Sequence, residues 1–194
     1  FKFNKFQKIN ISGLDEKDNL VFLNKIKKLS SGNTLLIKKN EIMKLINSNS
    51  LIEKYEVFKK YPYTINIRIE KTEFFAKINK NGKTYLIGSN GKLTFSDTDH
   101  KELPYVFGKP NINEFIKFKK IVDSSEFTYY QIKDLYYFPS KRWDLKLKNN
   151  ILLKLPNNFS KETLDLLYKF LESYEGENFS IIDARISNQI ILNG

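Results

Sequence analysis

The sequence contains no cysteine. That excludes disulfides, thiol catalysis and thiolate metal sites. It does not choose between the cytoplasm and an oxidising compartment entered without disulfides. Histidine occurs once, at His100 in "SDTDHKELP". With Asp97 and Asp99 it is a sparse metal-ligand set on a polar loop, which reads as solvated surface. Arginine is scarce too. Arg68, Arg142 and Arg185 are the only three among 33 basic residues, and the rest are lysine. The net charge of +11 favours contact with polyanions. Bidentate recognition of phosphates or base edges, however, favours arginine. The lysines are spread along the chain beside abundant Ile and Asn, the pattern of a genome-wide bias, so no nucleic-acid partner is expected. No stretch approaches the roughly eighteen uncharged apolar residues that span a membrane. The chain opens on Phe1, so a fragment or processed chain is expected, with a targeting or membrane segment lost.

The signatures of catalysis are missing as well. Gly88 and Gly91 fall in a hairpin turn, not between a strand and a helix, so they make no phosphate loop. No Gly-x-Ser-x-Gly elbow or His-Glu-x-x-His motif occurs. Glu70 and Glu73 flank Lys71 as strand-end surface charges. The sequence reading is therefore of a protein that is not an enzyme and needs no cofactor.

What is present is core-forming material: 41% hydrophobic residues, including 16 Phe, 11 Tyr and one Trp. The N-terminal part reads as an extended segment from Phe6 to Ser12, a Gly13 turn and a helix from Asp15 with Leu20, Leu23, Ile26 and Leu29 inward. A short "TLLI", a second helix near 39–47 and a strand over 51–60 follow. Tyr61-Pro62 breaks the chain before a further strand. There Tyr63, Ile65, Ile67 and Ile69 alternate with Thr64, Asn66, Arg68 and Glu70, the mark of a half-buried strand. The order β-α-α-β-β describes a small α+β unit.

The remainder reads as mostly β. A hairpin turns at Asn90-Gly91. Asn111 with Glu114 caps a helix whose inner stripe is Ile112, Phe115, Ile116 and Val122. A strand near 127–137 precedes a second hairpin, with Trp143, Leu145 and Leu147 before Asn149-Asn150 and Ile151, Leu153 and Leu155 after it. Ser160 caps a last helix carrying Leu164, Leu167, Leu171 and Tyr174, which ends at Gly176. Tyr129, Tyr130, Tyr136, Tyr137 and Phe138 could stack nucleobases, but a sheet and its core use such residues more often. The chain closes on "FSIIDARISNQIILNG", a strand, a break and a last strand. This terminal hairpin either completes a sheet or leaves an apolar edge on which another chain can pair.

The ordered motifs resemble the FtsQ/DivIB family of bacterial cell-division proteins. They are "INISGLDE" (9–16), "NTLLIKKNEIMKLI" (33–46), "KYPYTINIRIEKTEFFAKI" (60–78), "YLIGSNGKLTF" (85–95), "LPYVFG" (103–108), "WDLKLKNNILLKL" (143–155) and "IIDARISNQIIL" (181–192). The resemblance implies an α+β fold. A POTRA-like domain over 1–77 would precede a mixed, mainly antiparallel β domain with two helices over 78–194, the latter ending in an edge hairpin. It also implies a divisome scaffold without enzymatic activity: the extracytoplasmic part of a single-pass protein of the bacterial inner membrane, its membrane helix preceding Phe1. FtsB and FtsL would bind the β domain, FtsB by adding a strand to the last strand. Other division proteins would reach the POTRA unit. On this reading the partner-binding residues are Arg185, Ile186, Ser187, Asn188, Gln189, Ile190, Ile191 and Leu192, with Lys141 or Arg142 as a second basic contact. Arg185, in the "D-x-R" motif, would meet an acidic residue of the partner, or it could simply pair with Asp183. Ile186 stands where the family often has an aromatic, and Asn188-Gln189 where it often has a glycine.

Two other readings remain open from sequence. A POTRA-bearing transport or secretion module also uses strand addition, but would carry repeated units or a membrane barrel. A basic nucleic-acid-binding protein would rest on the charge and the aromatics.

Overall fold

The computed structural model describes residues 8–29, 39–60, 64–174, 179–186 and 189–193. The chain divides into two compact units, 1–73 with 88–94 and 74–87 with 95–194.

The first unit has the order β1 (Lys8–Ser12), α1 (Glu16–Leu29), α2 (Lys39–Ser48), β2 (Ile52–Lys60) and β3 (Thr64–Lys71). Its sheet runs β1-β3-β2, with β1 parallel and β2 antiparallel to the central strand. The strict alternation in β3 has a direct consequence. Ile65, Ile67 and Ile69 are buried and meet Ile42 and Ile46 of α2, while Arg68 and Glu70 face water. In α1 the inward pair is Phe22 and Ile26, not the stripe through Leu20 and Leu29 that spacing suggested. Phe22 is the largest apolar side chain on the helix, and it lies one turn before Ile26. Seating this pair rotates Leu20 outward to 55% exposure. Gly13, at φ +109°, lies so close to β3 that a Cβ would sit 1.7 Å from the Ile69 carbonyl oxygen. Only glycine fits that turn. Residues 88–94 belong with this unit because Asn90 Nδ2 donates to the carbonyls of Ser50 and Ile52, both at 2.9 Å. The expected Phe6 start, the "TLLI" segment, the Tyr61-Pro62 break with Tyr63, and the Gly176 stop lie outside the described residues.

The second sheet is mixed and is formed by β4 (Phe74–Lys80), β5 (Lys83–Gly88), β6 (Leu93–Phe95), β7 (Tyr105–Phe107), β8 (Ile132–Tyr137), β9 (Trp143–Leu147), β10 (Leu152–Lys154), β11 (Ile181–Asp183) and β12 (Ile191–Asn193); all but Gly88, Leu93 and Thr94 of these strands belong to the second unit. Its order is β12-β11-β10-β9-β8-β7-β4-β5-β6. Position 77, the expected end of the first domain, falls inside β4. The turn after β4 uses Asn81 and Gly82, both at positive φ, a signal the sequence reading passed over. The strand read near 127–137 is shorter: Tyr129–Gln131 makes a 3-10 turn before β8.

Two helices, α3 (Ile112–Ser124) and α4 (Lys161–Ser173), supply the second layer. Asn111 and Glu114 form the expected reciprocal cap, with bonds of 2.9 and 3.2 Å. Phe118, absent from the expected stripe, is buried and stacks on Trp143 at 4.5 Å between centroids. Leu135, Leu145, Leu153 and Ile182 stand opposite one another across four strands, all buried.

Candidate docking edge

The last strand is where the sheet stops. β12 pairs antiparallel with β11, with Asp183 opposite Ile191, Ile182 opposite Leu192 and Ile181 opposite Asn193. The neighbouring bonds fix which backbone groups remain. Leu152 N–H donates to the Ser180 carbonyl and Ala184 N–H to the Lys154 carbonyl. The Ser180 carbonyl, Ile182 and Ala184 therefore serve β10, while Ile181 and Asp183 turn toward β12, where the Ser180 N–H also donates to the Asn193 carbonyl at 2.9 Å. Their partners Asn193 and Ile191 turn inward in reply. Leu192 lies between them, so its N–H and C=O point away from the sheet.

The side chains of this edge are apolar and open. Ile191 is 42% exposed and Leu192 37%, the latter at the end of the otherwise buried Leu135–Leu145–Leu153–Ile182 row. Ile186 is 53% exposed, Gln189 is exposed and Ile190 half-buried. Ser187 and Asn188 lie outside the described residues. Ile186 and Ile190 line a groove of mixed polarity, with Leu166 and Leu167 of α4 on its apolar side and Glu162 and Gln189 among its polar residues.

The charged residues stand on the other face of the same strands. Tyr136, Asp144, Lys154, Asp183 and Ile191 succeed one another from β8 to β12. Arg185 reaches back along its strand to Asp183, with Nε at 2.8 Å from Oδ1 and Nη2 at 2.5 Å from Oδ2. This bidentate bond holds the Asp183 carboxyl below the usual carboxylate range and raises the guanidinium in return. Arg142 repeats the arrangement on β9. Its Nε is 3.1 Å from Asp144 Oδ1, and its guanidinium carbon lies 4.2 Å over the Phe138 ring. Asp144 is only 3% exposed, and burial pushes its carboxyl up despite Arg142. The two pairs sit on one face, two strand spacings or about 10 Å apart, with Lys154 between them. Lys141 behaves differently. It occupies a left-handed turn position, φ 65°, and its Nζ lies 4.0 Å from Glu114 of α3.

The structure thus brings Arg142 and Arg185 to one face of the sheet, Arg185 with Asp183 one strand in from the margin and Arg142 with Asp144 three strands in, and turns Lys141 toward a helix. Sequence reading passed over Asp144, Lys154 and Leu166. For Asp144 a signal existed: "RWD" mirrors "DAR", an arginine and an aspartate two apart on a strand. Leu166 had none, because its exposure depends on where α4 meets the segment after β11.

Elsewhere, Ser96 and Thr98 each lie 3.0 Å from His100 Nε2, and Glu102 lies 3.3 Å from its Nδ1. Among the described residues no group of three His, Cys, Asp or Glu could hold a metal ion, and no helix is long and apolar enough to cross a membrane.

A family model described as "Cell division protein FtsQ/DivIB, C-terminal" matches residues 76–185. The match covers most of the second unit and ends at Arg185, before the terminal strand. The chain is similar to "Cell division protein FtsQ" of Rickettsia prowazekii (strain Madrid E), 25% identical over 191 residues, covering 95% of this chain and 70% of the relative. It is similar to the protein of the same description in Rickettsia conorii (strain ATCC VR-613 / Malish 7), 24% identical over 196 residues with the same coverage. Among solved structures, the major extracytoplasmic domain of the trans isomer of DivIB from Geobacillus stearothermophilus aligns with a TM-score of 0.40 and 10% identity, over 55% of this chain and 97% of that one.

Proposed function

The chain belongs to the FtsQ/DivIB family of cell-division proteins, and from that premise we propose that it is a divisome scaffold whose last strand takes up a strand of FtsB. FtsL joins through the same β domain, and the POTRA-like unit meets other division proteins. The region works outside the cytoplasm on a membrane-anchored protein, and it acts by holding partners rather than by catalysis. The observation that carries the reading is Leu192, whose outward N–H and C=O offer a docking strand two main-chain bonds.

The chemistry around the edge supports a particular partner pattern. Residues of an added strand that point to the helix side would extend the apolar row past Leu192. Those on the opposite side would run beside Ile191, with the Asp183–Arg185 pair one strand further in and Lys154 a strand beyond it, so a long acidic side chain that reaches toward Arg185 is favoured. Arg185 has two of its nitrogens on Asp183, so it meets such an acid as a positioned charge, already ordered. An alternating apolar and acidic strand fits both faces.

The test is a calorimetric titration with the FtsB extracytoplasmic segment of the same organism, beside a chain truncated after Ser187. Binding by the full chain, lost on truncation with circular dichroism unchanged, supports the reading. Failure of the full chain to bind overturns it.

A further inference from the structure

A chain of net charge +11 can meet its own copy only where its surface carries little charge. The described edges differ sharply in this respect. β2, a long strand at one margin of the first sheet, carries Glu53, Lys54, Glu56, Lys59 and Lys60 along its length, the usual protection against edge pairing. After Arg185, by contrast, the sequence has no charged side chain. Arg185 itself is held by Asp183. β12, like β6 (Leu93–Phe95) at the opposite margin of the same sheet, is thus an uncharged strand on a strongly cationic body.

The backbone geometry makes the β12 margin complementary to itself. Leu192 is flanked by residues committed to β11 and keeps both of its own groups outward. Two such strands meeting antiparallel about a two-fold axis at Leu192 exchange a reciprocal pair of bonds, each Leu192 N–H to the other Leu192 carbonyl. Ile191 then faces Asn193 of the second copy, and no like charges are brought together. We propose that, without a partner, two copies of this chain pair edge to edge through β12 as an antiparallel two-fold dimer. The pairing stands independently of the FtsB reading. Its consequence rests on that reading: the dimer masks the docking strand until a partner strand displaces it.

Salt separates the two events. Bringing two +11 bodies together is opposed by repulsion that salt screens, so dimerisation strengthens with ionic strength. Binding of an acidic strand whose carboxylates reach toward Arg185 weakens with it. Sedimentation equilibrium of the chain alone should show a monomer–dimer equilibrium whose association constant rises at least about threefold between about 50 and about 500 mM NaCl. Ile191→Lys, placed on the exposed side of the edge, should weaken association about tenfold or more with circular dichroism unchanged. Val57→Lys, at an exposed position of β2, should leave it as it was. A chain monomeric at both salt concentrations overturns the dimer, as does a dimer indifferent to Ile191→Lys or equally sensitive to Val57→Lys. Absence of the dimer with FtsB binding intact removes the mask alone. A dimer in a chain that never binds FtsB removes the partner reading and leaves the self-pairing.

Discussion

At the scale of single residues, the site turns on two Arg–Asp pairs of the same design in different surroundings. Asp144 is buried and Asp183 lies nearer the margin, so their carboxyls move in opposite directions from the ordinary aspartate value, up for Asp144 and down for Asp183. Carbon-detected NMR titration should resolve that order. The consequences for stability differ in sign. Asp183 binds protons less readily when folded, so its contribution is complete above the ordinary aspartate pKa and is lost as pH falls through its depressed folded value. Arg185→Met should therefore narrow the stability difference between neutral and acid pH, followed by urea unfolding across that range. Arg142→Met leaves a buried carboxylate without its cation and should cost about 2 kcal/mol at neutral pH. Gly108, at φ +95°, is a further test of the second unit. A Cβ there would lie 2.2 Å from the Tyr137 carbonyl oxygen. Gly108→Ala should lower stability by about 3 kcal/mol, read by the same unfolding curve. The final glycine of "LPYVFG" thus has a steric reason visible only in the fold.

At the scale of elements, local pattern carries far and then stops. The alternation in β3 and the turns at Asn90-Gly91 and Asn149-Asn150 were legible because period and turn chemistry are local. So was the Asn111–Glu114 cap. The inner face of α1 was less so. Phe118 stands three residues after Phe115 and four before Val122, so its spacing already marked it as inward, whereas Phe22 with Ile26 competed with the stripe through Leu20 and Leu23 and only the packed core decides between them. Phe118→Ala should cost about 3–5 kcal/mol through loss of its stack on Trp143. The meeting of Arg142 with Arg185 was not legible at all, since it depends on the register of β9, β10 and β11, set by residues far apart in the chain. Strand parity yields the sharpest test at this scale. Leu192→Pro removes an N–H that points away from the sheet, so the fold should persist while FtsB affinity falls about tenfold or more in calorimetry. Ile191→Pro removes one that serves β11 and should detach the strand itself, changing the circular dichroism.

At the scale of the whole molecule, two units of different plan share one chain, and each ends a sheet in a different way. β2 is guarded by charge, and β12 is left apolar. Thirty lysines against three arginines set a diffuse cationic field, and two of the arginines are fixed in place by Asp144 and Asp183. The account predicts that partner recognition depends on backbone pairing at one margin and that the field mainly tunes its salt dependence. Site-resolved amide hydrogen exchange, at a concentration where the chain is monomeric, tests this most directly. Ile191 and Asn193 amides should be protected in the free chain and in the complex with the FtsB segment, while the Leu192 amide should exchange readily in the free chain and become protected in the complex. A Leu192 amide that exchanges at the same rate in the saturated complex would contradict strand addition at β12.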